Sequence, residues 1–451
     1  MTFLYLGVSG RVRYSLYRSL CVAAPAMSSQ VRVQVLPSQC LFDEPVHIRV
    51  EGLVGRQRVE LRGRLVDDKG VRFASAATYE ADDRGTVDVG ASRSLGGSYT
   101  GVEPMGLFWS MKPDAAHAKL SKKDVQTPCM VDIEVSSASD PERVLARETN
   151  ERGFMVRGAR RLCVKVGRIR GTLFVPPGAG PFPGVLDLYT LGGGLPEVRG
   201  SLLANKGFVV FCLAYYRYDD LPKSLSHIDL EYFEEAVAFL RSRPEVKGPG
   251  IGVLSISKSG DLALSIASFL PGIAATVCVN GCNGNTVVPL NYRDIVIPAL
   301  KVDMSRITIT QSGILDLREA TDLKIDGNEA AIIPIEKATC SFLLAASEDD
   351  RNWNSCLFAE EAFKRLKDHG KNNCEVLTQE EELAGGPAHC RSYTDSCGRR
   401  MRMLTARRMT GWPSHLSGLR RMQWSGVFRT EPSFFSFFSV PLAGVSITPC
   451  K

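Results

Sequence analysis

The feature that most constrains this chain is a change of hydrophobic period close to Gly158. Before that point apolar and polar residues alternate. Val31, Val33 and Val35 share one face while Arg32 and Gln34 take the other. Val46, Ile48 and Val50 repeat the pattern, as do Val59, Leu61 and Leu65, with a slip expected at Gly63. A period of two belongs to strands with one buried face. Turn signals separate the runs at Asp68-Lys69-Gly70 and Asp82-Asp83-Arg84-Gly85, and Cys129 to Val135 supplies a late strand. Short alternating strands with such turns predict an all-β, immunoglobulin-like sandwich, assigned to residues 28–156.

After Gly158 the apolar runs stop alternating. Arg170–Val175, Gly184–Leu188, Phe208–Tyr216, Gly250–Ile256, Ala275–Val279 and Ser341–Ala346 read as strands buried on both faces. Helical stretches separate them at 196–206, 258–269 and 355–369, and Leu230, Phe233, Val237 and Leu240 recur at helical spacing. Doubly buried strands alternating with helices predict a mostly parallel sheet with helices on both faces, over residues 157–378. Such sheets bind ligands at the carboxyl ends of their strands, so the chemistry is sought there.

The net charge of +6 decides little until it is located. Residues 1–42 carry four Arg and no acid, residues 379–451 carry nine Arg and one Lys against five acids, and the body between them is slightly acidic. That body argues against nucleic acid as a partner. No run reaches the roughly 18 apolar residues of a membrane span; the nearest, Phe434 to Ile447, is broken by Ser and Pro. The 13 Cys are scattered, with no C-x-x-C pair and no His beside Cys278 and Cys282. Free thiols in a reducing compartment and no metal site are therefore expected. Residues 1–27, acid-free with Arg and Ser among apolar residues, read as a mitochondrial presequence or as a leader before a true start at Met27.

Ser257 ends the strand 250–256 and immediately precedes a helix. A strand-turn-helix elbow at such a place presents a nucleophile above the sheet. The elbow pattern G-x-S-x-G is present with Ser255 and Ser259 in the two Gly positions, a change that costs the φ freedom of Gly. Ser257 is thus read either as a nucleophile or as a helix cap. The backbone N–H of Lys258 and one near Gly193, in the loop Gly192-Gly193-Gly194, are the candidate oxyanion donors. An acid candidate stands in Ser347-Glu348-Asp349-Asp350-Arg351, after the strand 341–346. Serine followed by acid is the chain order of α/β-hydrolases.

Several further segments stand in an ordered set: Phe42-Asp43-Glu44-Pro45, Gly96-Gly97-Ser98-Tyr99, Glu103 to Leu107, Gly192 to Leu195, Leu213-Ala214-Tyr215-Tyr216, Asp220 to Lys223, Leu230 to Ala236, Pro244 to Gly250, Ile256-Ser257-Lys258 and Asp350 to Trp353. With them the chain, over about residues 40–378, resembles the type I acyl-coenzyme A thioesterases and their relative bile acid-CoA:amino acid N-acyltransferase. The resemblance implies a β-sandwich followed by an α/β-hydrolase domain, with Ser257 as nucleophile and Asp350 as triad acid, Asp349 being the adjacent alternative. It implies a fatty acyl-CoA substrate and no cofactor, coenzyme A being part of the substrate. The acyltransferase branch has Cys at the nucleophile position, so Ser257 favours hydrolysis over conjugation.

The family's His lies in a G-H-x-I-E-P-P run that would fall near Ala384. This chain reads Glu380-Glu381-Glu382-Leu383-Ala384-Gly385-Gly386-Pro387-Ala388-His389 instead, and His389 is the one His nearby. From about residue 379 Arg replaces Lys, and no helix with one apolar face emerges. Residues 379–451 are read as the product of a shifted frame or altered splicing, with a genuine basic tail as the rival. The expectation is an acyl-CoA thioesterase; the alternatives are a family member impaired by loss of its base and an amino acid N-acyltransferase. Location is expected to be mitochondrial or cytoplasmic, with peroxisomal left open.

Overall fold

The computed structural model describes residues 30–115, 118–309 and 315–379. The leader at 1–27, the tail beyond 379 and the residues His117, His389 and His415 lie outside the described residues.

The amino-terminal strands form two sheets. Arg32–Leu36, His47–Glu51 and Val87–Asp88 pair antiparallel in the smaller one. In the larger, Arg58–Val66 lies between Arg72–Glu80 and Cys129–Ser137, and Asp140–Gly153 follows outside the latter. Alternation drives this packing: Val33, Val35, Ile48, Val50, Val59 and Leu61 all point into one core. The slip expected at Gly63 is not there. The register runs unbroken through Gly63 opposite Ser75 and Ile133. Gly63 occupies a core-facing position, where a Cβ would come within 2.9 Å of the Leu107 carbonyl, the Met111 methyl and the Ser75 hydroxyl. The missing side chain makes room for neighbours and does not mark a bulge.

The second part is an eight-stranded sheet. Its strands are β1 (Arg160–Val166), β2 (Ile169–Val175), β3 (Phe182–Leu188), β4 (Val209–Ala214), β5 (Val246–Ile256), β6 (Ile273–Val279), β7 (Ser341–Ser347) and β8 (Cys374–Gln379). They lie in the order β1-β2-β4-β3-β5-β6-β7-β8, and all neighbours from β4 to β8 are parallel. The helices are α1 (Val198–Ala204), α2 (Leu230–Arg241), α3 (Lys258–Phe269) and α4 (Ser355–Asp368). Because successive side chains leave opposite faces of a strand, Val185 and Leu254 join α1 on one face, while Leu186 and Val253 join α2 and α3 on the other. Both faces are covered, so the strands have no polar side to show. This is an α/β-hydrolase sheet preceded by an all-β sandwich.

The core of the sandwich continues into the sheet face that packs α1. Asn205, at the end of α1, accepts from the Val156 N–H at 3.0 Å and donates to the Phe154 carbonyl at 2.9 Å. Lys206 pairs with Asp43 at 3.2 Å. The long connection from β6 to β7 carries a small hairpin, Leu290–Tyr292 with Ile295–Ile297, which pairs with Ile228–Asp229. Sequence periodicity had assigned nothing to that connection.

Candidate active site

Ser257 sits between β5 and α3 with φ 58° and ψ −128°. An L-residue is held in that region only where its surroundings impose it. Here the Ser257 N–H donates to the Val279 carbonyl at 2.8 Å, and the Gly260 N–H donates to the Ser257 carbonyl at 2.7 Å. The turn is clamped from β6 on one side and from α3 on the other. Ser257 stands at the N-cap position, yet its side chain makes no capping bond. The cap reading is thereby set aside: the residue has the place of a cap and not the bond. Ser257 is 6% exposed.

The two flanking serines behave otherwise than their Gly positions suggest. Neither has a positive φ; the strain falls on Ser257 alone within this run. Ser255 donates its hydroxyl to the Val277 carbonyl at 2.8 Å. The Ser259 hydroxyl lies 2.9 Å from the carbonyls of both Leu188 and Ile256 and accepts from the Ile256 N–H at 3.0 Å. Both side chains are buried and satisfied by backbone.

Lys258 is the first residue of α3, so its N–H has no acceptor inside the helix. It points from the positive end of a helix, which suits a developing anion. The opposite loop follows β3. Gly193 and Gly194 have φ of 63° and 75°, and a Cβ on Gly193 would meet the Tyr216 ring and Arg217 Cβ at 3.0 Å. The glycines are thus required by the turn. Their N–H groups are already engaged: Gly193 donates to the Thr190 carbonyl at 3.2 Å and Gly194 to the Tyr216 carbonyl at 3.0 Å. The Gly193 N–H, the donor expected from the sequence, thus closes the turn in this structure. The N–H groups of Leu191 and Gly192, just before it, make no backbone bond among the described residues.

Asp350 follows β7 and is 6% exposed. Burial raises its carboxyl to about 6, outweighing the N–H of Asn352, which donates to Oδ1 at 2.9 Å. Asp349 is half-buried and accepts from the Ser347 hydroxyl. A residue that sequence reading missed connects the two halves of the site. Asn280, at the end of β6 with φ 45°, donates its N–H to Ala345 at 2.8 Å and accepts from the Ser347 N–H on its side chain at 2.9 Å. Its carbonyl takes the Trp353 indole N–H at 2.8 Å. Asn tolerates the left-handed region better than most residues, and its place at a strand end was the available signal.

Three histidines are described, and each bonds elsewhere. His47 meets Asp88 at 2.8 Å, His227 meets the Ser226 hydroxyl at 3.0 Å, and His369 meets the Arg365 carbonyl at 2.8 Å. The strand β8 runs parallel to β7 and so ends at the edge that carries Asp350. Among the described residues no cluster of His, Cys, Asp and Glu could hold a metal ion. Taken together, the carboxyl edge offers a hydroxyl on a strained backbone, a helix-end N–H, a glycine loop and a buried carboxyl, groups that acyl transfer can use.

Comparison with known proteins agrees. Residues 43–166 match the family model described as the acyl-CoA thioester hydrolase/BAAT N-terminal region, and residues 228–385 match BAAT/acyl-CoA thioester hydrolase C terminal. Acyl-coenzyme A thioesterase 5 of Mus musculus is 48% identical over 339 residues, covering 74% of this chain and 80% of that one. Mitochondrial acyl-coenzyme A thioesterase 2 of Homo sapiens is 45% identical over 363 residues, covering 80% of this chain and 75% of that one. With both of its parts matched, this chain belongs to the acyl-CoA thioester hydrolase/BAAT family.

Proposed function

We propose that this chain hydrolyses fatty acyl-CoA to free fatty acid and coenzyme A through an acyl-enzyme on Ser257. The observation that carries the reading is the backbone of Ser257, held at φ 58° and ψ −128° with its hydroxyl uncapped at the end of β5. Strain of that kind is retained where a side chain must stand clear of a tight turn. The substrate class rests on the relatives, which are named acyl-CoA thioesterases.

In this reading a base takes the Ser257 proton while Oγ attacks the thioester carbonyl. The oxyanion of the tetrahedral intermediate accepts from the Lys258 N–H and from Leu191 or Gly192. Collapse breaks the C–S bond, and the departing sulfur takes the proton from the base. Water, losing its proton to the same base, then attacks the acyl-serine ester; the C–Oγ bond breaks, Ser257 Oγ takes the proton back from the base and the acid is freed. Asp350 orients the base and stabilises its charged form. An oxygen ester on Ser257, in place of a thioester, favours water as acceptor over an amine.

A second reading is a relative that binds acyl-CoA without turning it over. It is supported by His47, His227 and His369, the three described histidines, each bonded to a partner other than Ser257. Thiol release from palmitoyl-CoA by this chain and by Ser257→Ala separates the two. Release that disappears in the variant supports hydrolysis; equal rates select the second reading. Amide product formed on adding glycine or taurine would favour conjugation. For location, two relatives named mitochondrial and the acid-free stretch 1–27 support a mitochondrial address, while relatives without that word in their names keep a cytoplasmic or peroxisomal one as the alternative. Import of a fluorescent reporter fused to residues 1–27 tests it.

A further inference from the structure

Lys258 carries a second feature that the reaction above does not use. Its side chain is wholly buried, 0% exposed. The ammonium donates to both oxygens of Asp261, at 2.7 and 2.9 Å, and lies 3.5 Å from Asn285 Oδ1. Asp261 is 1% exposed. Its Oδ2 also accepts from the N–H and the hydroxyl of Thr286, at 2.8 and 2.6 Å. Asn285 in turn donates to the carbonyls of Val288, Ile297 and Pro298 at 2.9 to 3.1 Å. One buried ion pair therefore joins the first turn of α3 to the hairpin in the β6–β7 connection.

Such a pair is an expensive way to fill space. Removing two charges from water costs several kcal/mol per ion, and apolar residues of similar volume often do as well or better for stability. What a fully bonded pair supplies is direction. Lys258 is the residue whose peptide N–H faces the developing oxyanion, and its Cα–Cβ bond starts from that same peptide unit. Fixing Nζ at three oxygens restrains the side chain that starts from that peptide unit. We propose that Lys258 and Asp261 are positioning residues: their buried pair, seated on Thr286 and Asn285, aims the oxyanion N–H and holds the connecting hairpin against the elbow. The inference rests on Ser257 being the nucleophile.

The test is the double variant Lys258→Met/Asp261→Asn, which is neutral and close to isosteric, with Thr286→Val as a milder variant. Thermal unfolding shows whether each is folded, and steady-state thiol release gives kcat and KM. Loss of one oxyanion donor costs about 10²–10³ in kcat, and a misdirected donor part of that. The expected result is a folded double variant with kcat lower by about ten- to a hundredfold and KM within about twofold, because the bond acts only in the transition state. Thr286→Val should show a smaller loss in the same direction. A folded variant with unchanged kcat overturns the proposal; if the double variant does not fold, an unchanged kcat in Thr286→Val does so. Hydrogen exchange of segments 257–262 and 283–300 gives a readout without turnover. Both should exchange faster together in the variant, and unchanged exchange in either overturns the coupling. If parent and Ser257→Ala release thiol equally, the hydrolase reading fails and the aiming of an oxyanion donor fails with it; the exchange result then decides only whether the pair holds the hairpin against the elbow.

Discussion

The hydroxyl of Ser259 lies 2.9 Å from the carbonyl of Leu188, tying the turn behind Ser257, the proposed nucleophile, to the strand that launches the glycine loop. The same hydroxyl accepts from the Ile256 N–H. Ser259→Ala would take this acceptor from the buried Ile256 N–H, while the Leu188 carbonyl keeps the Arg199 guanidinium at 2.9 Å, at a cost of about 1–3 kcal/mol. Urea unfolding should show that loss, and kcat should fall several-fold with little change in KM. An unchanged midpoint and rate would show that the contact carries no weight.

Ser257→Gly should be more stable than the parent, and inactive. Glycine adopts positive φ without steric cost, and release of the strain at φ 58° should be worth about 1–3 kcal/mol. Ser257→Ala removes the hydroxyl but keeps the Cβ and should gain no such stability. Denaturation of the two variants side by side reads the strain directly.

Asp350 links pH to stability. Its carboxyl is raised from 3.8 to about 6 when folded, so the folded chain holds this proton more tightly than the unfolded one. The burden of burying the ionised form is absent below about pH 4, grows towards pH 6 and is constant above, reaching about 3 kcal/mol at most. Asp350→Asn lacks that burden. It should match the parent near pH 4, exceed its stability by about 1–3 kcal/mol near pH 8, and lose about 10⁴ in kcat. Denaturation at both pH values checks it; a variant weaker than the parent at pH 8 would contradict burial as the cause.

Gly260→Ala tests the close approach of α3 to the loop after β6. A Cβ on Gly260 would sit 2.7 Å from Cys278 Sγ and 2.8 Å from Gly281 Cα. Exposed helical Gly→Ala changes stabilise by roughly 1 kcal/mol. Here the change should destabilise by about 1–3 kcal/mol and lower kcat, since the displaced turn bears the Lys258 N–H. A gain in stability would show that the helix and loop can part freely.

Much of the architecture was legible because burial imposes period. Alternating Val and Ile residues marked the sandwich strands, and the uninterrupted runs of β3, β4 and β5 marked a sheet covered on both faces. Ser257 and the acidic segment around Asp349 and Asp350 could be singled out because each follows such a run, where a parallel sheet opens; the choice of Asp350 within it came from the family resemblance. Local pattern misled at Gly63, since an absent side chain looks alike whether it marks a bulge or a crowded neighbour. It misled at Ser255 and Ser259, where the motif suggests needed flexibility and the structure uses hydroxyls to bond backbone.

The sequence by itself determined the main strands and helices of the two sheets, and the strand ends at which the chemistry is proposed, because those follow from apolar spacing along the chain. Only the tertiary structure decided which donors remain available for it. The Gly194 N–H is taken by Tyr216, the Ser257 N–H by Val279, and the Lys258 ammonium by Asp261 and Asn285. Apart from Asp261, those acceptors lie more than a full helix or strand away in the chain. A hydrogen bond is satisfied by whatever folding brings within reach, and the order of residues alone does not record that.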